Sequence, residues 1–218
     1  MGGKKLVKFE QKFTTSTTFS VPDGCTQVDV FLVGGGGGGH YAGGGAGYTK
    51  TFKKDTTGYR DGGAISVTPG ESIDIIVGTG GNPLSSGGYS QFKSSSYRAL
   101  GGNPSKPSSY SVNGGDGGSG GGAYGNNTTI NSRGKDGGNG SGSYVTNHGN
   151  SSGGKGQGHT TRAFGDTNGE LFASGGYARS GYYADSVVPN TGNGGNGDGI
   201  GGNAGAGGIV IVRGYKYE

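Results

Sequence analysis

The chain has 218 residues, 58 of them glycine, against ~7% glycine in ordinary proteins. Only 28% of its residues are hydrophobic and tryptophan is absent, which excludes a conventional side-chain core for this length. The net charge of +4 is spread over both signs with no basic face or nucleic-acid module, so nucleic acid is not an expected partner.

Residues 4–33 read as β. KKLVKFEQKF alternates imperfectly, with Leu6, Lys8 and Glu10 interleaved with Val7, Phe9 and Gln11. TTSTTFSV is rich in β-branched residues, and Pro22-Asp23-Gly24 is a turn signal. QVDVFLV then sets Val28, Val30 and Leu32 on one side and Asp29, Phe31 and Val33 on the other. Residues 64–77 read as a hairpin, AISVT and ESIDIIV joined at Pro69-Gly70. GGIVIVRGY, residues 207–215, is the closing strand. Strands at both ends predict that the two ends of the chain pair in one sheet or sandwich. No segment has a helical period, and glycine costs about 1 kcal/mol per residue in a helix relative to alanine.

Between the strands lie glycine runs with a period of three. GGDGGSGGG aligns Gly114, Gly117 and Gly120 in one row and Gly115, Gly118 and Gly121 in a second. Gly134, Gly137 and Gly140 form another row, as do Gly199, Gly202, Gly205 and Gly208. A polyproline II helix has three residues per turn and no internal hydrogen bonds, so its N–H and C=O groups point outward. Glycine rows let neighbouring backbones approach and bond to one another. The opposing term is backbone entropy, which is largest for glycine. Net hydrogen bonds contribute only ~0.5–1.5 kcal/mol each, so such a bundle needs many aligned segments and a nucleating sheet. Disorder is the competing reading of the composition, but the strand signals, 13 tyrosines and 8 phenylalanines oppose it.

Motifs for chemistry are weak. The strand-to-glycine passage at 31–39 lacks the helix that a dinucleotide fingerprint needs. GNSSGGKG has glycine at 156, where a P-loop needs Ser or Thr. GGNGDGIGG misplaces Asp198 for a calcium-binding nonapeptide repeat, and Asp116, Asp136 and Asp198 read as solvated side chains rather than cation ligands. His40, His148 and His159 lack ligand spacing, and no nucleophile elbow occurs. The expectation is no enzyme, no cofactor and no metal. Cys25 stands alone, which excludes an internal disulfide framework and suits a bacterial or viral protein. No apolar run reaches membrane-spanning length, so no membrane insertion is expected.

VPDGCTQVDVFLVGGGGGG, GGGAG, ISVTPGESIDIIVGTGG and the closing GGIVIVRGY together resemble the glycine-rich domain of phage tail-fibre and prophage proteins. The glycine motifs are similar to those of tail-fibre tip adhesins with a polyglycine II sandwich. The resemblance spans residues 16–215. It implies a rigid glycine core whose loops at one end contact a bacterial cell-surface receptor, protein or glycan, on a virion tail fibre outside the cell. A fibre shaft is the other implied partner, although nothing in the chain matches the shaft-docking domain of those adhesins. The glycine architecture also resembles an extracellular domain of certain receptor tyrosine kinases, which carry cysteines that this chain lacks.

The expected fold is therefore all-β plus a polyglycine II bundle, essentially without α-helix. It is one domain, with N-terminal strands at 1–33, a glycine-rich region at 34–206 containing the 64–77 hairpin, and a closing strand at 207–218. Segments between the glycine runs are rich in Tyr, Ser, Asn, Thr and Arg, residues that antibody loops use for contact. Expected receptor contacts are Tyr182 and Tyr183 first, then Tyr97, Arg98, Tyr110, Tyr144 and Arg179. Expected structural glycines are Gly114, Gly115, Gly117, Gly118, Gly137, Gly140, Gly202 and Gly205. The alternatives to an adhesin are a non-binding spacer or knob of a virion or appendage, and an extracellular ligand-binding domain of a signalling receptor.

Overall fold

The computed structural model describes residues 5–106, 111–112, 114–122, 124–125, 144–146, 150–152, 161–178, 187–198 and 201–218. The strands, in chain order, are β1 (Leu6–Phe13), β2 (Thr17–Ser20), β3 (Gln27–Val33), β4 (Thr49–Phe52), β5 (Ile65–Ser66), β6 (Ser72–Ile76), β7 (Ser90–Phe92), β8 (Arg98–Ala99), β9 (Ser111–Val112), β10 (Tyr124–Gly125), β11 (Tyr144–Thr146), β12 (Asn150–Ser152) and β13 (Ile209–Tyr217). Among the described residues the only helical turn is a 3-10 turn at Ala163–Gly165.

Two antiparallel sheets face each other. The first has the order β1-β13-β3-β4, with β5 also on β3, and the second is β2-β6-β7-β8. Two short ladders, β9 with β10 and β11 with β12, stand apart. The ends of the chain do pair: β1 runs antiparallel to β13 from Leu6↔Tyr217 to Phe13↔Val210.

Strand alternation sets the layers. Val28, Val30 and Leu32 of β3, with Val210 and Val212 of β13, face the second sheet. There they meet Phe19, Ile73, Ile75 and Phe92. Phe31, Val33, Ile209 and Ile211 face the opposite way and pack under Phe164, Phe172 and Ala173. The central strands β3 and β13 are thus apolar on both sides, because both sides are covered.

Residues 64–77 do not form the expected hairpin. β5 pairs with β3 in the first sheet, whereas β6 pairs with β2 and β7 in the second. The cause lies in Pro69-Gly70. Gly70 has φ 79° and the Glu71 N–H bonds the Thr68 carbonyl at 2.9 Å. Proline followed by a positive-φ glycine is a type II turn, whose twist splays paired strands. The chain crosses between layers instead, and Ile65 and Val67 join Ile73, Ile75 and Val77 in one core.

β3 runs straight into residues 34–39, where hydrogen-bond direction repeats every third residue. Gly34 and Gly37 donate to Tyr48 and Gly45, Gly35 and Gly38 to Gly88 and Ser85, and Gly36 and Gly39 to Ala206 and Asn203. The carbonyls are used the same way: Gly35 and Gly38 accept from Gly102 and Ser105, Gly36 from Gly81, and Gly37 from Gly195. Residues 43–48 repeat the scheme. Gly43 and Ala46 donate to Gly122 and Ser119, Gly44 and Gly47 to Gly195 and Gly192, and Gly45 and Tyr48 to Asn103 and Leu100. Each run is surrounded by other runs on every side. Backbone satisfaction thereby replaces apolar burial in this sector.

Candidate functional site

The glycine sector has two distinct ends. Its near end is continuous with the sheets, through Val33-Gly34 and Gly208-Ile209. Its far end is defined by the turn at His40–Ala42, where the His40 N–H bonds the Ala42 carbonyl at 3.1 Å. A second turn lies beside it, with the Ser85 N–H on the Asn82 carbonyl and the Gly38 N–H on that of Ser85. Ser105 bonds to Gly38, Gly122 to Gly43, and Asp198 to His40. Ala178 packs on Ala42 and Tyr41. The chain therefore enters the segments after Lys106, Gly122, Ala178 and Asp198 from this one end. The paired residues Lys5 and Glu218, which exchange backbone bonds at 2.8 and 2.9 Å, lie at the opposite end of β1 and β13.

Tyr110, Arg179, Tyr182, Tyr183, Gly137, Gly140 and Asp136 lie outside the described residues. Tyr144 opens β11 and pairs with Ser152. Tyr97 and Arg98 separate onto two faces. The Tyr97 ring packs edge-on against Phe52, centroids 5.1 Å apart, at the margin of the inter-sheet core. Arg98 points out of the second sheet. Its guanidinium lies 4.0 Å over the Tyr89 ring, and its Nε and Nη2 donate to Gln91 Oε1 at 2.9 and 2.6 Å. Tyr89 and Gln91 are thus the residues that the sequence reading missed. The register Gln91↔Arg98 brings them together, and adjacency in sequence hides it.

The six expected structural glycines within the described residues all abut backbone. A Cβ on Gly114 would meet the Gly121 carbonyl, on Gly115 that of Asn103, and on Gly117 that of Ala46. On Gly118 it would meet the Gly47 carbonyl, on Gly202 that of Gly39, and on Gly205 that of Gly36.

Charged residues gather on the outer side of the first sheet. Lys53 is buried, with side-chain exposure of 1%, and faces Asp166 at 3.6 Å. Arg213 bridges Asp29 and Asp166 and stacks 3.8 Å over Phe164. Burial opposes the Arg213 charge, but hydrogen bonds and attraction from Asp166 and then Asp29 outweigh it and raise its pKa. Arg213 and Asp29 of this cluster also line an open groove of about 960 Å³, with Lys8, Glu10, Asp55 and Tyr215. Asp55 is held below the usual carboxylate range by the Thr57 hydroxyl and N–H.

Asp198 is not the solvated side chain that the sequence suggests. It is 6% exposed, and its Oδ1 accepts the Gly201 and Gly202 N–H groups, each at 2.8 Å. This closes the turn that Gly202 makes at φ 64°. No group of three or more His, Cys, Asp or Glu side chains suited to a metal occurs among the described residues. No helix among them is long and apolar enough to cross a membrane.

Comparison with curated proteins finds no match for the chain. The family described as Glycine-rich domain matches residues 12–215, and the chain belongs to that family.

Proposed function

We propose that this protein is a receptor-binding domain of a phage or prophage tail fibre. In this reading the glycine runs are polyglycine II helices. They hold Tyr-, Ser- and Asn-rich segments against a host cell-surface structure, protein or glycan. The observation that carries the reading is the far end of the glycine sector. The N-terminal flanks of these segments, Lys106, Gly122 and Ala178, lie there, opposite the paired ends of the chain, and the chain returns from the last of them at Gly192, which bonds Gly47 and Gly207 beside the sheets. A scaffold bonded on every side lets loops bind without ordering a flexible support. The tail-fibre setting rests on the resemblance of the VPDG-to-VGGGGGG and GGIVIVRGY blocks.

The test is labelling of intact bacteria by fluorescent protein across a broad strain panel, beside a Tyr182→Ala/Tyr183→Ala variant. Strain-selective labelling lost in the variant is the expected result. Selective labelling retained by the variant keeps the adhesin and moves the contact to another loop or to Arg98. Absence of labelling across the panel overturns the reading in favour of a structural spacer.

A further inference from the structure

We propose that the outer edge of β1 docks a second copy of this chain, as an antiparallel β1–β1 pair about a two-fold axis at Phe9. β1 is the outermost strand of the first sheet, and its pairing with β13 is continuous over Leu6–Phe13 without a bulge. Lys5 and Glu218 exchange both backbone bonds, which fixes the parity of the ladder. Antiparallel pairs alternate between bonded and non-bonded. The inward backbone groups therefore belong to Val7, Phe9, Gln11 and Phe13. Those of Leu6, Lys8, Glu10 and Lys12 point away from β13, and none has a backbone partner among the described residues.

The other side of the sheet is handled differently. There the chain folds back along β4, with the Asp61 N–H on the Thr51 carbonyl at 2.7 Å and the Lys53 N–H on the Gly62 carbonyl at 3.1 Å. One edge is closed by its own loop, while β1 presents, among the described residues, a straight unpaired row of donors and acceptors without proline or glycine. Such a row is a template for strand addition.

Charge and strand overlap choose the occupant and the register. A two-fold pair must set outward residues against outward residues. Centred on Lys8, it opposes Lys8 to Lys8. Centred on Glu10, it opposes Glu10 to Glu10 and Lys8 to Lys12. Centred on Phe9, it opposes Lys8 of each copy to Glu10 of the other, and Leu6 to the aliphatic stem of Lys12. Opposite charges across a pair stabilise and like charges destabilise. Pairs centred on Val7 or Gln11 are also free of like charges but overlap only residues 6–8 or 9–13 of β1, so of the registers without like-charge pairs the Phe9-centred one alone spans Leu6–Lys12. It also sets the two Phe9 residues opposite each other, each ring lying over Gly214 of its own sheet and stacking on Phe19 at 6.2 Å.

Sedimentation equilibrium of the full chain over a wide concentration range tests this. The expected result is a monomer–dimer equilibrium that Lys8→Glu alone and Glu10→Lys alone each weaken about tenfold or more. Lys8→Glu/Glu10→Lys restores it, and so does an equimolar mixture of the two single variants, as a heterodimer. Both side chains are exposed, and unchanged melting temperatures establish that the variants fold. A chain that stays monomeric at every concentration overturns the proposal. So does a dimer indifferent to the single charge reversals.

Discussion

Arg213 donates from Nη1 to Asp166 Oδ2 at 2.8 Å, across 47 residues of chain. This bond ties β13 to the segment that covers Phe31 and Ile211. The same carboxylate is the counter-charge of buried Lys53. Asp166→Asn keeps an acceptor for Arg213 but removes the charge opposite Lys53. Asp166 is 45% exposed, so the expected loss is about 1–2 kcal/mol, below that of a fully buried pair. Lys53→Met added to Asp166→Asn recovers most of it. Urea unfolding of the three variants checks the order.

Gly118→Val and Gly63→Val should separate sharply. A Cβ at Gly118 falls on the Gly47 carbonyl and the Tyr48 Cα, whereas at exposed Gly63 nothing lies within 4 Å. Backbone cannot yield as a flexible side chain can, so the first change should cost about 3 kcal/mol or more. The second should stay within about 0.5 kcal/mol. Equal melting temperatures for both variants would show that the glycine runs are not closely packed.

Tyr97→Ala and Arg98→Ala are neighbours in sequence with opposite expected effects. Removing the Tyr97 ring takes away the Phe52 contact and should destabilise by about 2 kcal/mol. Arg98→Ala removes only contacts to Tyr89 and Gln91 on the outer face of the second sheet and should leave the melting temperature nearly unchanged.

Glu71 makes stability depend on acid. The Thr68 N–H first, and then Lys93, hold its carboxyl below the usual range. A depressed carboxylate stabilises the fold above its unfolded pKa, roughly 4.3. That contribution fades as pH falls through the folded value. Glu71→Gln should therefore melt lower than the parent at neutral pH. The gap should close in acid, as thermal melts across pH would record.

Cys25 is 1% exposed, and burial pushes its thiol pKa up. It should resist a thiol reagent in the native protein and react only at the rate of unfolding. Rapid native-state labelling would contradict its burial.

Much of this architecture was legible in residue order. The alternation of QVDVFLV separates the faces of β3, because a strand turns successive side chains to opposite sides. The three-residue glycine rows announce close backbone packing, because only glycine leaves a carbonyl room at that distance. The pairing of the two ends followed from strands with no helical material between them. Residue order did not reveal what depends on partners remote in sequence. It could not say that the turn at Pro69-Gly70 sends β5 and β6 to different sheets. Nor could it tell that Tyr97 turns inward while Arg98 turns out to Tyr89, or that Asp166 answers both Lys53 and Arg213. Those outcomes were decided by which layer each segment could bury itself against. Local pattern specifies a face, and only the assembled fold specifies what that face meets.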